Sequence, residues 1–364
     1  MHELYYWIAL RLICGIGNVN YKNLLDHFGS PEKIFEAEPE ELRKVAGITT
    51  KAVESILKFR SFPDIDRELD LIDSKKINII TLNSPGYPEN LKNIYDPPPF
   101  LYVKGQIKKE DNNAFAVVGS RNTSEYGVIA TEEISRQLAL RGITIVSGMA
   151  RGIDSYAHQA ALACRGRTIA VLGSGVDVIY PAENRKLYHA IAEHGAVISE
   201  YPMGTAPYSY NFPARNRIIS GLSTGVLVAE ASLKSGSLIT ARLALEQGRD
   251  VFAIPGNVFS YKCKGTNKLL RSGAKLVESA DDIIEELQFK VDAYAQIAKK
   301  EVGRILDLNP ETQIIYELIQ EEPVQINDLI IKSELSFSRL SSILLDLELS
   351  NLIKQLPGKR FIKC

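Results

Sequence analysis

The middle of the chain alternates between two hydrophobic patterns. Short β-branched runs without polar alternation occur at "AFAVVG" (114–119), "ITIVSG" (143–148), "TIAVLG" (168–173), "AVISE" (196–200), "GVLVAEA" (225–231) and "DVFAIPG" (250–256), with "AKLV" (274–277) as a candidate seventh. Segments with helical periodicity separate them. Runs of this kind predict strands buried on both faces, and the helices between them predict a parallel sheet covered on each side. The fold class expected for 61–288 is therefore α/β, an extended Rossmann-like doubly wound, mainly parallel sheet.

The flanks carry other patterns. Over residues 1–60, "LICGIGNVNYKNLLDHFGS" (12–30) and "KVAGITTKAVESILKF" (44–59) repeat an apolar–x–Gly–Ile turn. A helical stripe follows each turn, Leu24, Leu25 and Phe28 in the first and Val53, Ile56 and Leu57 in the second. This resembles tandem helix-hairpin-helix or SAM-like units, whose Gly-Ile-Gly turn can present backbone N–H groups to a phosphate. The sparse basic flanks and the acidic "EAEPEE" (36–41) favour a packing or protein-contact role instead. Between 61 and 113 the pattern predicts a helix near 64–74, an apolar run at 77–82, and an extended lead-in through Pro97–Pro99 to a strand at Leu101–Val103. Residues 289–307 read as a linker. Residues 308–364 read as three short amphipathic helices and a β-hairpin around Pro357-Gly358, which together resemble a winged helix. Its third helix offers only Arg339 as a basic residue, so protein contact and DNA reading stay open there.

Bulk properties add limits. The 364 residues are 45% hydrophobic and 24% charged, with a formal net charge of −1, so a polyanion partner would have to be held by local basic patches. The single cysteines Cys14, Cys164, Cys263 and Cys364 stand at no metal-ligand or redox spacing, which argues against a zinc site or a disulfide framework. The N-terminal apolar run lacks a basic leader, and no stretch approaches the ~20 apolar residues of a membrane span. A cytoplasmic, reduced protein is expected.

Ligands of doubly wound folds bind beyond the carboxyl ends of the strands. There the chain carries Gly119-Ser120-Arg121, "SGMARGID" (147–154), "GSGVDVIYPAEN" (173–184), "SEYPMGTAP" (199–207) and "EASLKSGSLITA" (230–241). Thr123 or Ser124 is expected to cap a helix burying Tyr126, Ala130, Ile134 and Leu138, Asp154 to cap the next, and Ser235-Gly236-Ser237 to open a third. Several helix starts thus converge on one rim, each able to hold an anion. A dinucleotide cofactor does not fit, because Arg121 breaks the glycine fingerprint and Ser147-Gly148 stands where a ribose-binding acid belongs. For a nucleotide-processing enzyme the candidates are Glu200, Glu230, Asp177 and His158, but nothing pairs them with a metal or a nucleophile, and structural roles are favoured. The stretch "YSYNFPARNRIISGLS" (208–223) joins Arg215 and Arg217 to Phe212, Tyr208 and Tyr210. Arginine at a helix start holds phosphate, and an aromatic beside it can stack on an unpaired base. The alternative is that the aromatics pack and the arginines pair with Glu200 or Glu230.

These motifs, with "GTNKLLRSGA" (265–274) and the lead-in "YPENLKNIYDPPPFLYVKG" (87–105), resemble the bacterial DNA-processing protein A family, DprA, also called Smf. The resemblance runs almost continuously over 114–280; Met149, where many members have Leu, is a conservative departure. It implies a non-catalytic protein, without cofactor or metal, that binds and protects incoming single-stranded DNA during natural transformation and loads the RecA recombinase, as a homodimer. Carried over by motif, Gly119, Ser120 and Arg121 would hold a phosphate, with Gly148 and Arg151 lining the same pocket. Phe212 would stack on a base, and Arg215, Asn216 and Arg217 would complete the basic rim. The enzyme alternative is a phosphoribohydrolase on a similar α/β fold, but no "PGGxGT" with an adjacent catalytic Glu is present.

Overall fold

The structure is a computed structural model that describes residues 3–59, 63–287, 309–319, 323–333, 335–349, 352–356 and 358–363. It divides into two compact units, Met1–Ala293 and Tyr294–Cys364. The linker expected over 289–307 lies outside the described residues.

Every apolar run of the middle region is a strand. The sheet of the first unit comprises β1 (Asn78–Thr81), β2 (Phe100–Gly105), β3 (Ala114–Val118), β4 (Thr144–Ser147), β5 (Thr168–Val171), β6 (Ala196–Ser199), β7 (Gly225–Val228), β8 (Asp250–Ala253) and β9 (Lys275–Leu276). Their order is β1-β2-β6-β5-β4-β3-β7-β8-β9. Strands β6 to β9 pair in parallel, whereas β1 with β2 and β2 with β6 are antiparallel. All residues of β3, β4, β5, β6 and β7 are buried, as strands covered on both faces require. The chain leaves β3 toward β4 on one side and reaches β7 on the other. The loops after β3 and β7 therefore part at a topological switch point, where such sheets open a crevice.

The helix after β3, α8 (Glu125–Leu140), is capped by Ser124, whose Oγ accepts the Gly127 N–H at 3.1 Å. Ile134 and Leu138 are buried as expected, but Tyr126 is 50% exposed. The face turned inward there is Gly127 and Thr131 instead. A Cβ at Gly127 would lie 2.7 Å from the Glu230 carboxylate, while Tyr126 reaches away from that face, its hydroxyl donating to the Pro255 carbonyl at 2.9 Å. In α9 (Ile153–Ala163), Asp154 sits one position inside the helix, and Gly152 holds the cap position.

The N-terminal helices α1 (Glu3–Leu12), α2 (Asn18–Phe28), α3 (Pro31–Glu36), α4 (Pro39–Leu42) and α5 (Thr50–Leu57) form the two hairpins. Gly15 and Gly47 take φ of +88° and +82° in the turns, which only glycine adopts without strain. The hairpins pack on each other through amides, Asn23 donating to the Ala46 carbonyl at 3.0 Å. Leu24, Leu25, Val53 and Ile56 are buried, while Leu57 is 39% exposed. Trp7, Tyr21 and Leu24 share one continuous apolar cluster with Tyr102, Val197 and Ile219 of the α/β region. Packing thus runs across the boundary that the sequence pattern suggests near residue 60.

In the second unit, α15 (Pro310–Leu318), α16 (Ile326–Ser333) and α17 (Phe337–Leu349) pack around Ile315, Leu329, Leu340 and Leu344. β10 (Val324–Gln325), β11 (Ile353–Leu356) and β12 (Arg360–Lys363) form an antiparallel sheet in the order β10-β12-β11. This is a winged helix. Arg339, on the third helix, is ion-paired with Glu311 at 2.6 Å, which raises its pKa further.

Candidate functional site

The Gly-Ser-Arg turn after β3 is fixed by close backbone approach. The Ser120 N–H donates to the Glu230 carbonyl at 2.7 Å, and the Ile153 N–H donates to the Ser120 carbonyl at 3.2 Å. Gly152 has φ +74°, and a Cβ there would stand 2.3 Å from the Ser120 carbonyl oxygen. Glycine at 152 thus lets the loops after β3 and β4 lie against each other. The tight packing carries Arg121 outward, where it is exposed.

Facing this turn is α11 (Asn211–Leu222). The Phe212 ring lies against Gly173, where a Cβ would come within 2.8 Å of it, and 5.6 Å from the Tyr180 ring. The guanidinium groups of Arg121 and Arg215 stand 5.7 and 5.8 Å from its centroid. Cations over an aromatic face are attracted by its quadrupole, so the ring and both arginines hold one another in place. Arg215 is only 3% exposed; it donates to the Gly148 carbonyl at 2.9 Å and also to the Val171 carbonyl. Burial lowers its pKa to about 10, which still leaves it charged at neutral pH. Beneath it, the buried Asp154 carboxylate accepts the N–H groups of Gly148 at 3.2 Å and Ala150 at 3.4 Å. Burial raises the Asp154 pKa, against the opposing pull of the Arg215 charge and those N–H groups.

A cleft of about 590 Å³ opens between these elements. Its lining includes Gly119, Ser120, Arg121, Phe212, Arg215 and Asn216, with Lys234, Ser235 and Ser237 opposite. The last three precede or open α12 (Ser237–Glu246), whose N-cap Gly236 supplies no side-chain cap. The starts of α11 and α12 both border the cleft, adding backbone donors and the positive ends of their dipoles to the cations. The arrangement can hold a phosphate beside a planar ring.

The remaining sequence candidates stand elsewhere. Gly148 lies behind the lining, where a Cβ would be 2.7 Å from Arg215 Nη2 and 2.8 Å from Asp154 Oδ2. Arg151 points outward to Glu183, with Nη2 donating to Oε2 at 2.9 Å. Arg217 is 8% exposed and turned inward, so it completes no rim; Nη2 meets Glu200 at 2.5 Å and Nε meets Asp96 at 3.0 Å. Burial raises the Asp96 pKa, and the Arg217 charge opposes this. The acids considered for catalysis have structural partners. Glu230 accepts the Ser124 N–H at 3.1 Å and its hydroxyl, and Asp177 accepts Lys75 at 2.6 Å and the Gly204 N–H at 2.8 Å. His158 is fully buried, its Nδ1 2.6 Å from Thr168 Oγ1, and burial lowers its pKa to about 3. Sequence reasoning did not single out Lys234 or Tyr180. Lys234 had a signal in "SLKSGS", a cation just before a helix start beyond a strand. Among the described residues no group of three or more His, Cys, Asp or Glu could hold a metal ion, and no helix is long and apolar enough to cross a membrane.

Residues 78–288 match the model of the DNA recombination-mediator protein A family, 303–359 that of the DprA winged helix domain, and 9–60 that of a SAM-like helix-hairpin-helix tandem. A Protein Smf of Synechocystis sp. is 36% identical over 391 residues, covering 99% of this chain and 98% of that one. The DNA processing protein DprA of Bacillus subtilis is 45% identical over 227 residues, 62% of this chain and 76% of its own. The X-ray structure of DprA from Streptococcus pneumoniae superposes with a TM-score of 0.69 at 37% identity, over 79% of this chain and 99% of that one. DprA from Helicobacter pylori, solved for its single-stranded DNA binding mode, gives a TM-score of 0.52 at 34% identity, over 58% and 96%. With the switch-point cleft, the winged helix and these matches along its length, the chain belongs to the DNA recombination-mediator protein A family.

Proposed function

We propose that this protein binds single-stranded DNA in the switch-point cleft as a non-catalytic recombination mediator. In this reading it protects an incoming strand during natural transformation and loads RecA recombinase onto it, as a cytoplasmic homodimer. The observation that carries the reading is Phe212 between the charges of Arg121 and Arg215 at a cleft bordered by two helix starts. Cations and helix N-termini favour phosphate, and an aromatic ring beside them favours an unpaired base over a paired one. The relative solved for its single-stranded DNA binding mode supports the same ligand class. Residues 61–288 would carry DNA, flanked by the hairpin domain (1–60) and, through the linker 289–307, by the winged helix (308–364).

Fluorescence anisotropy with oligothymidylate and a duplex of equal length tests the ligand. The single strand should bind more tightly, with affinity falling as salt rises. Equal or preferential duplex binding would refute the reading. RecA filament formation on single-stranded DNA, followed with and without the protein, tests the loading step. The phosphoribohydrolase alternative draws no support from Glu230, Glu200 and Asp177, whose carboxylates are engaged by Ser124, Arg217 and Lys75. Release of free base from nucleoside monophosphates by the purified protein would reverse that judgement.

A further inference from the structure

Beside the cleft stands an aromatic feature that the phosphate-and-ring arrangement leaves unused. The rings of Tyr208 and Tyr210 lie parallel, at 4° with centroids 5.4 Å apart, although they are 51% and 70% exposed. Pro207 and Ser209, their chain neighbours, line the cleft. The loop that carries them is anchored. The Tyr208 N–H donates to the Ala206 carbonyl at 2.8 Å, and the Asn211 N–H donates to the Tyr208 carbonyl at 3.0 Å. Asn211 is itself buried, with its amide on the Gly173 carbonyl at 3.0 Å, and the Tyr201 hydroxyl donates to the Asn211 carbonyl at 3.2 Å.

Phe212 is placed differently. That ring is hemmed in by Gly173, Tyr180 and two guanidinium groups, and it is only partly exposed. The tyrosine pair keeps broad faces in solvent and its rings are already parallel. Tyr210 and Phe212 are two steps apart along the chain, with Asn211 between them. That is at most about 7 Å of main chain, or roughly two stacked nucleotides at about 3.4 Å each.

We propose that Tyr208 and Tyr210 form a second stacking platform, on which an unpaired base of a strand leaving the cleft adds a third layer. The inference rests on the cleft's being a single-stranded DNA site and extends that site by one base-stacking position. Phosphate contacts in the cleft fix the register of the strand. The platform reads no sequence, because every base offers a π face.

The test pairs protein variants with an abasic walk. The shortest oligothymidylate that wild type binds with full affinity, which leaves one register, is titrated intact or with one abasic site moved stepwise along it against wild type, Y208A/Y210A and Y208F/Y210F. The double alanine variant should lose about 5- to 150-fold in affinity for the intact strand, while the double phenylalanine variant holds it. One abasic position should weaken wild type to a similar extent and weaken the alanine variant no further. Both side chains are exposed, so thermal unfolding should be unchanged, and it is measured alongside. Equal binding by wild type and Y208A/Y210A overturns the platform while leaving the cleft intact. So does a loss that is the same at every abasic position. Failure of wild type to bind any single strand overturns the cleft reading as well, and it is the one outcome of this titration that does.

Discussion

Arg215 and Arg217 stand two residues apart on one helix and face opposite environments. Arg215 lines the cleft, 5.8 Å from the Phe212 centroid, whereas Arg217 is turned into the interior between Glu200 and Asp96. At 3.6 residues per turn, two steps rotate a side chain by about 200°. One helix therefore turns one arginine to the cleft and the other to interior carboxylates. Glu200 also accepts from Asn18 at the start of α2, at 3.3 Å, so the Arg217 network ties α11 to the N-terminal hairpins.

Arg217→Met should destabilise the first unit by about 3–5 kcal/mol, because it strands the buried Glu200 carboxylate. Adding Glu200→Gln should recover part of that loss. Denaturant unfolding of the single and double variants measures both, and a single variant as stable as wild type would contradict the pairing.

Arg121→Ala should do the reverse. The residue is exposed, so the unfolding midpoint should barely move, while affinity for oligothymidylate falls. If Arg121 neutralises one phosphate, the slope of log affinity against log salt should shrink by about 0.7. Titration at several salt concentrations reads this directly, and an unchanged slope would remove Arg121 from the contact.

Gly152→Ala and Gly204→Ala form a matched pair. Both glycines have positive φ, +74° and +73°, but a Cβ at 152 collides with the Ser120 carbonyl at 2.3 Å and one at 204 meets nothing within 4 Å. The substitution at 204 should cost only about 1–2 kcal/mol of backbone strain. At 152 the loss should be larger and accompanied by loss of strand binding, as the Gly-Ser-Arg turn is pushed aside. Unfolding and anisotropy on the two variants separate strain from displacement.

His158 predicts a pH dependence of stability. Burial first, and the Arg215 charge second, hold its folded pKa at about 3, against an ordinary 6.5. Above pH 6.5 the ring is neutral in both states, and its contribution is fully present. As pH falls from 6.5 toward 3 the unfolded chain takes up a proton that the folded one refuses, so stability drops by up to about 1.4 kcal/mol per pH unit. His158→Gln should flatten the stability curve between pH 6 and pH 4 by about one proton. Identical slopes for variant and wild type would show that the ring titrates normally.

Much of this molecule was legible in the sequence, because its signals are local. The unalternating β-branched runs specified buried parallel strands, since only such strands need apolar side chains on both faces. The missing second glycine after β3 argued against a dinucleotide loop, and the Ser, Gly and Arg residues at strand ends marked the rim. Which rim residues face the cleft was a matter of tertiary structure. The rotation of α11 sent Arg217 to Glu200 and Asp96, and Glu183 drew Arg151 to the outside. The buried stripe of α8 falls on Gly127 and Thr131, against Glu230, and leaves Tyr126 outside to reach the Pro255 carbonyl. Lys234 joined the cleft because β7 neighbours β3 across the switch point, more than a hundred residues away in sequence. Periodicity fixes which positions share a face, but the partners that a buried charge needs come from distant segments. Whether an arginine serves the ligand or the core is therefore decided only when those segments meet.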